Sequence, residues 1–312
     1  MAGDTRFGIV VSARDAWPNA EELRALGAAC VRTIVYDFDE LDRVLQDHPP
    51  DVRVIAVLTP RHPGIGRDLS RRAGWEMTVR QFAERFAGRV AALECLSAWD
   101  TLDIDTATAV ACARSAGQML RETESGVSAL LGSVAGPRWM TRLLEVSRLL
   151  TPADREFLAG ACFHPQKKNA RGFPGFDRQR FERGEIDVAV QDAHDLVGLP
   201  IWVTEFGLRL GQAGDETGQA RFVTDALDLL GALPASVLAA ATYHCWWDRA
   251  GAPHERGEHA RGLRREDLFD PAEDRKPRQS WFAFAEAAGG TGIPPEAFAA
   301  PHQTRRHQQS RA

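Results

Sequence analysis

Lysine is almost missing from this chain: Lys167, Lys168 and Lys276 are the only three among 38 basic residues. Acidic residues number 43, so the formal net charge is -5 and no basic excess is available to track a phosphate backbone. Nucleic acid is therefore not an expected partner. Tyrosine is equally scarce, with two residues, while alanine and arginine abound. That skew is what a GC-rich genome imposes on codon choice, so the arginines need no functional explanation one by one. No apolar run approaches the roughly 20 residues of a membrane span, and no membrane partner is expected. A basic stretch, apolar run and small-residue cleavage site are also missing from the N-terminal MAGDTRFGIVVSA, which points to a cytoplasmic protein.

Cysteine is sparse and unpaired in pattern. Cys30, Cys95, Cys112, Cys162 and Cys245 are odd in number, and none falls in a C-x-x-C pair. Neither a zinc site nor a disulfide framework is indicated, and the apolar neighbours suit small buried hydrophobes. Cys245 beside His244 looks like a nucleophile with its base. Adjacent strand residues point to opposite faces, however, so packing is the better reading. No metal or organic cofactor motif is visible, and none is expected.

What is present is an alternation. Strand patterns run over 6–13, 31–36, 52–58, 89–97, 126–134, 157–163, 200–206 and 236–247. Helical patterns lie between them: after Pro18–Asn19, over DELDRVLQ, over WEMTVRQFAERFA, from about Asp105 to Thr123, and over WMTRLLEVSRLL, EIDVAVQDAHDLVG, GQARFVTDALDLLGAL and WFAFAEAA. Continuous apolar strands alternating with amphipathic helices make a parallel sheet covered by helices. Eight such units predict a single (β/α)8 barrel, a fold that takes about 250 residues. The expected domain is 1–290, with 291–312 a polar, disordered tail rich in His, Gln and Arg.

Barrels of this kind place their chemistry at the C-terminal ends of the strands. That rule selects Arg14 and Asp15 after strand one, Asp37 and Asp39 after two, and His62 after three. Ser97, Trp99 and Asp100 follow strand four, His164 and Gln166 six, Glu205 seven, and His244 through Asp248 eight.

The segment PIWVTEFG around Glu205 resembles the strand-seven motif of the large clan of retaining glycosidases built on (β/α)8 barrels. Further similarities follow in order: LRALGAACVRTIV with Arg32, FAERFAGRVAALE, CFHP, YHCWWD and GLRREDLFDPAEDRKPRQSWFAF. The resemblance implies that Glu205 is the nucleophile, Arg32 its supporting arginine and Trp246 the sugar-stacking tryptophan. It also implies a small-molecule substrate that is sugar-like or polyhydroxylated.

One departure stands out. The clan's strand four reads E-x-W-N-E-P, its last glutamate serving as general acid/base, whereas this chain reads ECLSAW. Glu94 is kept, but Ser97 and Ala98 stand where asparagine and glutamate belong. Retaining hydrolysis needs two carboxyls about 5 Å apart, and alanine neither attacks nor protonates. Glu94 shares strand parity with Ala98 but lies roughly 13 Å deeper, which favours a buried polar residue bonded within the barrel. Asp100 either bends back into the site or lies on loop surface. His62 and His164 are candidates to give a proton near neutral pH, with His164 alternatively shaping the pocket. Glu205 and His164 are thus the candidate catalytic residues; Arg32, Asp37, His62, Ser97, Asp100, His244 and Trp246 are the candidate substrate-binding residues. Three functions stay open: a glycosidase or transglycosidase, a non-hydrolytic tailoring enzyme (cyclase, lyase or isomerase) of bacterial specialised metabolism, and a sugar-binding barrel without turnover.

Overall fold

The computed structural model describes residues 6–13, 17–66, 69, 72–136, 138–165, 186–208, 213–245, 262–263 and 277–293. Its strands are β1 (Phe7–Val10), β2 (Cys30–Ile34), β3 (Arg53–Leu58), β4 (Ala92–Cys95), β5 (Ser128–Val134), β6 (Leu158–Phe163), β7 (Ile201–Phe206) and β8 (Leu238–Tyr243). Each pairs in parallel with the next, and β8 closes on β1, so the sheet is a closed eight-stranded barrel. The helices are α1 (Ala20–Leu26), α2 (Phe38–Gln46), α3 (Ala73–Phe86), α4 (Thr106–Glu122), α5 (Trp139–Leu149), α6 (Pro152–Phe157), α7 (Ile186–Val197), α8 (Glu216–Ala232) and α9 (Gln279–Ala288). The short α6 is an addition to the sequence reading. A Thr151–Asp154 capping box starts it, with Pro152 in its first turn.

Local chemistry explains where the helices begin. Asn19 and Glu22 form a capping box at α1, while Asp37, Asp105 and Asp215 each accept a backbone N–H at the starts of α2, α4 and α8. Between the barrel and its helices lies the main apolar core, built on such residues as Leu23, Val79, Phe82, Leu93, Val203 and Phe284. No helix among the described residues is long and apolar enough to cross a membrane.

The barrel interior has two storeys, because inward-facing residues recur every second position along a strand. The floor is apolar: Cys30, Ile55, Ala92, Leu130, Cys162, Trp202 and Ala240. Trp202 fills most of it. A Cβ on Gly160 would lie 2.4 Å from the Trp202 ring, so a glycine is needed at that point. Two residues further along the same strands come Arg32, Glu94, His164, Thr204 and Thr242, all buried. The apolar floor thus supports a polar upper storey, and the polar storey faces the mouth.

Residues 291–293 are within the described structure, and Gly292 N–H donates to Ala25 O. The rest of the proposed tail, 294–312, lies outside the described residues.

Candidate active site

Arg32 on β2 organises the upper storey. Its Nε donates to Glu94 Oε2 at 2.7 Å and its Nη2 to Glu94 Oε1 at 3.1 Å, a two-pronged grip on one carboxylate. Nη2 also donates to Ser97 Oγ at 2.8 Å. The remaining arm, Nη1, donates to Glu205 Oε1 at 2.6 Å. Arg32 and Glu94 are fully buried, whereas the Glu205 side chain is 16% exposed. Glu205 is therefore the member of this network that meets the mouth.

Two backbone irregularities make the convergence possible. The register of β7 on β8 shifts between Val203 and Phe206. A bulge re-aims side chains, and here Thr204 and Glu205 both serve the interior while Phe206 packs outward on Tyr243. On β4, Leu96 takes the left-handed conformation at φ 70°, and Leu96 joins Cys95 in the outer core. The alternation expected from Glu94 to Ala98 is broken there, and Ser97 turns in to share Arg32 with Glu94. The kink brings β4 hard against β5. A Cβ on Gly132 would lie 1.8 Å from Cys95 O, so glycine alone fits. Ala98 follows, also left-handed at φ 49°, with its N–H given to Ser133 Oγ at 2.8 Å.

His164 at the end of β6 completes the cluster. Its Nδ1 is 3.8 Å from Glu205 Oε2, its Nε2 is 3.8 Å from Glu94 Oε1, and Nε2 is 3.0 Å from Thr204 Oγ1. Burial pulls its pKa below the ordinary imidazole value, and Arg32 pulls the same way against the carboxylates of Glu205, Glu94 and Asp100. His164 is therefore neutral at neutral pH. Burial likewise lowers His62, with Asp37 opposing. Both shifts run against the expectation that either ring donates a proton near neutrality, because burial disfavours the charged imidazolium.

For Glu205, burial alone would raise the pKa; His164, Arg32 and His244 overcome it and hold the carboxyl well below the usual carboxylate range. With His164 neutral, the permanent guanidinium of Arg32 is the charge that keeps Glu205 ionised at neutral pH. Glu94 is also lowered: burial pushes it up, and the Arg32 charge and hydrogen bonds outweigh that.

Other expected site residues fall elsewhere. Asp100 is close enough to His164 to raise its pKa, but its two oxygens accept the N–H groups of Ala135 at 3.0 Å and Gly136 at 2.7 Å, tying the β4 turn to the loop after β5. Asp37 is an exposed helix cap whose oxygen accepts Asp39 N–H at 2.6 Å. His62 is packed on Phe38, ring centres 4.6 Å apart, and its Nδ1 accepts Gly64 N–H at 3.2 Å. These bonds give Asp100, Asp37 and His62 structural work. His244 stands close enough to Glu205 to lower its pKa, and its N–H donates to Phe206 O at 2.7 Å. Arg14, Asp15, Gln166, Lys167, Lys168, Trp246, Trp247 and Asp248 lie outside the described residues.

Sequence reading left Glu94, Ser133 and Thr204 out of the site. A signal existed for Glu94: it is the acidic residue in the apolar run AALEC, and Arg32 is the basic residue in CVRTI. Lone opposite charges in two buried strands call for each other. Among the described residues no cluster of His, Cys, Asp and Glu is arranged to hold a metal ion.

Known structures share this architecture. The chain superposes on a GH5_18 protein from Streptomyces cattleya, solved in complex with GlcNAc, at TM-score 0.63 and 17% identity, over 92% of this chain and 80% of that one. A GH5_18 protein from Bifidobacterium longum, in complex with Manb1-4GlcNAc, matches at TM-score 0.61 and 16% identity, over 91% and 78% of the chains. Xylanase 10B from Thermotoga maritima matches at TM-score 0.59 and 14% identity, over 91% and 94%. At such identities the likeness is one of fold: a (β/α)8 barrel of the kind glycosidases use. No protein-family model matches the sequence, and no curated protein matches it either.

Proposed function

We propose that this chain is a glycosidase-like barrel enzyme acting on a small glycoside or similarly polyhydroxylated metabolite, with Glu205 as its key carboxylate and no standard general acid. One observation carries the reading. Arg32 Nη1 holds Glu205 Oε1, and Oε2, the oxygen Arg32 does not hold, stands at the mouth opposite His164. A carboxylate ionised at neutral pH and oriented through one oxygen by a buried arginine suits attack on an anomeric carbon. Oε2 would form the new bond to that carbon as the glycosidic oxygen departs with its electron pair. Ala98 offers that oxygen no proton, so the reading calls for a leaving group that is stable as an anion. The complexes of the two GH5_18 proteins with GlcNAc and Manb1-4GlcNAc are compatible with a sugar-like ligand here.

The tailoring-enzyme alternative keeps a narrower form. A carboxylate held far below its usual range is a poor base, so Glu205 would act there by stabilising a developing cation. The decisive experiment is intact-mass analysis of the protein with dinitrophenyl glycosides of many sugars. A covalent glycosyl adduct on Glu205 supports the proposal. Turnover of another kind, without an adduct but lost in Glu205→Gln, supports the tailoring enzyme. Ligand binding that survives Glu205→Gln without any turnover marks a sugar-binding barrel.

A further inference from the structure

A glycosyl ester on Glu205 must be broken again, and in a retaining glycosidase the water that does so attacks the anomeric carbon from the side the leaving group vacated. The base for that water belongs at position 98, where this chain has a methyl group. The chain does have a base on the opposite side, against Glu205 itself. We infer that His164 drives water onto the carboxyl carbon, Cδ, of the Glu205 ester, so that the acyl–oxygen bond breaks instead of the bond at the sugar. This step rests on the nucleophile reading above.

Three features of the site support it. First, His164 Nδ1 lies 3.8 Å from Glu205 Oε2, which sets a base beside the oxygen that carries the sugar in the ester. Second, the other ring nitrogen, Nε2, shares a hydrogen bond with Thr204 Oγ1 at 3.0 Å and lies 3.8 Å from Glu94 Oε1, so that side of the ring is held by polar partners. With its proton on Nε2 the ring would offer the Nδ1 lone pair to the water, and the Glu94 carboxylate favours the imidazolium as it forms, the logic of an acid–histidine pair. Third, Arg32 Nη1 sits 2.6 Å from Oε1, where the negative charge of a tetrahedral intermediate would develop. Base, orienting partners and oxyanion donor are all in place for ester hydrolysis.

The step balances. Water oxygen bonds to Cδ as His164 Nδ1 takes its proton, and the carbonyl electron pair moves onto Oε1 beside Arg32. Collapse breaks Cδ–Oε2, and Oε2 leaves with the sugar, protonated by His164. Glu205 is left as a carboxylic acid with the water oxygen in place of Oε2, and it becomes a carboxylate by releasing the second water proton to solvent. Glu205 attack inverts the anomeric carbon once, and this second step never touches it, so the released sugar carries net inversion.

The test runs native protein with a dinitrophenyl glycoside in heavy-oxygen water. The expected result is heavy oxygen in Glu205, read by mass spectrometry of the peptide containing PIWVTEF, together with an inverted first-formed sugar by NMR. In His164→Gln, hydrolysis should fall by ~10²–10⁴-fold and the adduct should accumulate. Release by azide, which attacks the anomeric carbon and needs no base, should continue at the native rate in that variant; a merely structural role for His164 would slow both. An adduct with unlabelled Glu205 and a retained sugar would overturn the inference while leaving Glu205 as nucleophile. Absence of any adduct or sugar release across the panel would overturn both readings.

Discussion

The ends of β7 and β4 face the same mouth and have opposite characters. At β7 a bulge presents Glu205 to the mouth, with a buried arginine fixing one of its oxygens. At β4 two left-handed residues and a close approach to Gly132 are spent on seating Ser97 and Ala98, and the residue at the mouth is an alanine. The scaffold of the β4 corner is thus elaborate, while its side chain at position 98 has no acid–base capacity. The β4 corner is held by the Arg32 contact of Ser97 and the Ser133 bond of the Ala98 N–H, and neither requires an acidic side chain at position 98.

That contrast can be broken at β7 first. Glu205→Gln should abolish turnover, a loss of at least ~10³-fold, since on the proposed reading it removes the attacking group. The fold should persist by circular dichroism, because Arg32 keeps both of its bonds to Glu94 and its bond to Ser97. Wild-type activity in this variant would make Glu205 a bystander.

The same contrast can be sharpened at β4. Ala98→Glu should restore proton donation to the leaving oxygen and raise hydrolysis of nitrophenyl glycosides with poor leaving groups by ~10²–10⁴-fold. The left-handed backbone at φ 49° adds little new cost, because the strain of that conformation comes from Cβ and Ala98 already carries one. Rates with leaving groups of graded acidity would show the gain growing as the leaving group worsens; a gain independent of leaving group would contradict acid catalysis.

Arg32 links the two ends, so its loss should be felt in stability. Arg32→Met leaves Glu94 buried without its cation and should destabilise the fold by about 3–5 kcal/mol, measured by urea unfolding. The smallest effect expected is on pH dependence. His164 has its pKa depressed in the folded state, so the unfolded chain binds more protons between the two values. Its contribution is fully present above the ordinary histidine pKa and is lost as pH falls from there through the lowered folded value. A melting-temperature profile over that window should flatten in His164→Gln. The carboxylates act in a separate window: Glu205 and Glu94 are depressed, so their contribution goes at more acidic pH, below the ordinary glutamate range.

Much of this molecule could be read without coordinates. Apolar strands such as RVIAVL and IWVTEF, separated by helices with Asn19, Asp105 and Asp215 at their starts, determine the number and order of the β/α units, because burial on both faces and capping are local demands. The short α6 escaped because a single capped turn leaves almost no periodicity. Ser97, His164 and Glu205 were also legible as residues near strand ends, and Arg32 through the resemblance of LRALGAACVRTIV. Their partnerships were not. Period-two alternation placed Glu94 with Ala98, and only the left-handed Leu96 shows why Ser97 turns inward instead. Asp100, Asp37 and His62 looked equally suited to the mouth, yet backbone N–H groups of Ala135, Gly136, Asp39 and Gly64 claim them. Proton location was likewise beyond the sequence, since a histidine near neutrality by type becomes a neutral base once burial outweighs the carboxylates around it. Local pattern settled which residues reach the strand ends; closure of the barrel decided which of them meet, because those contacts cross 62 to 173 residues of chain.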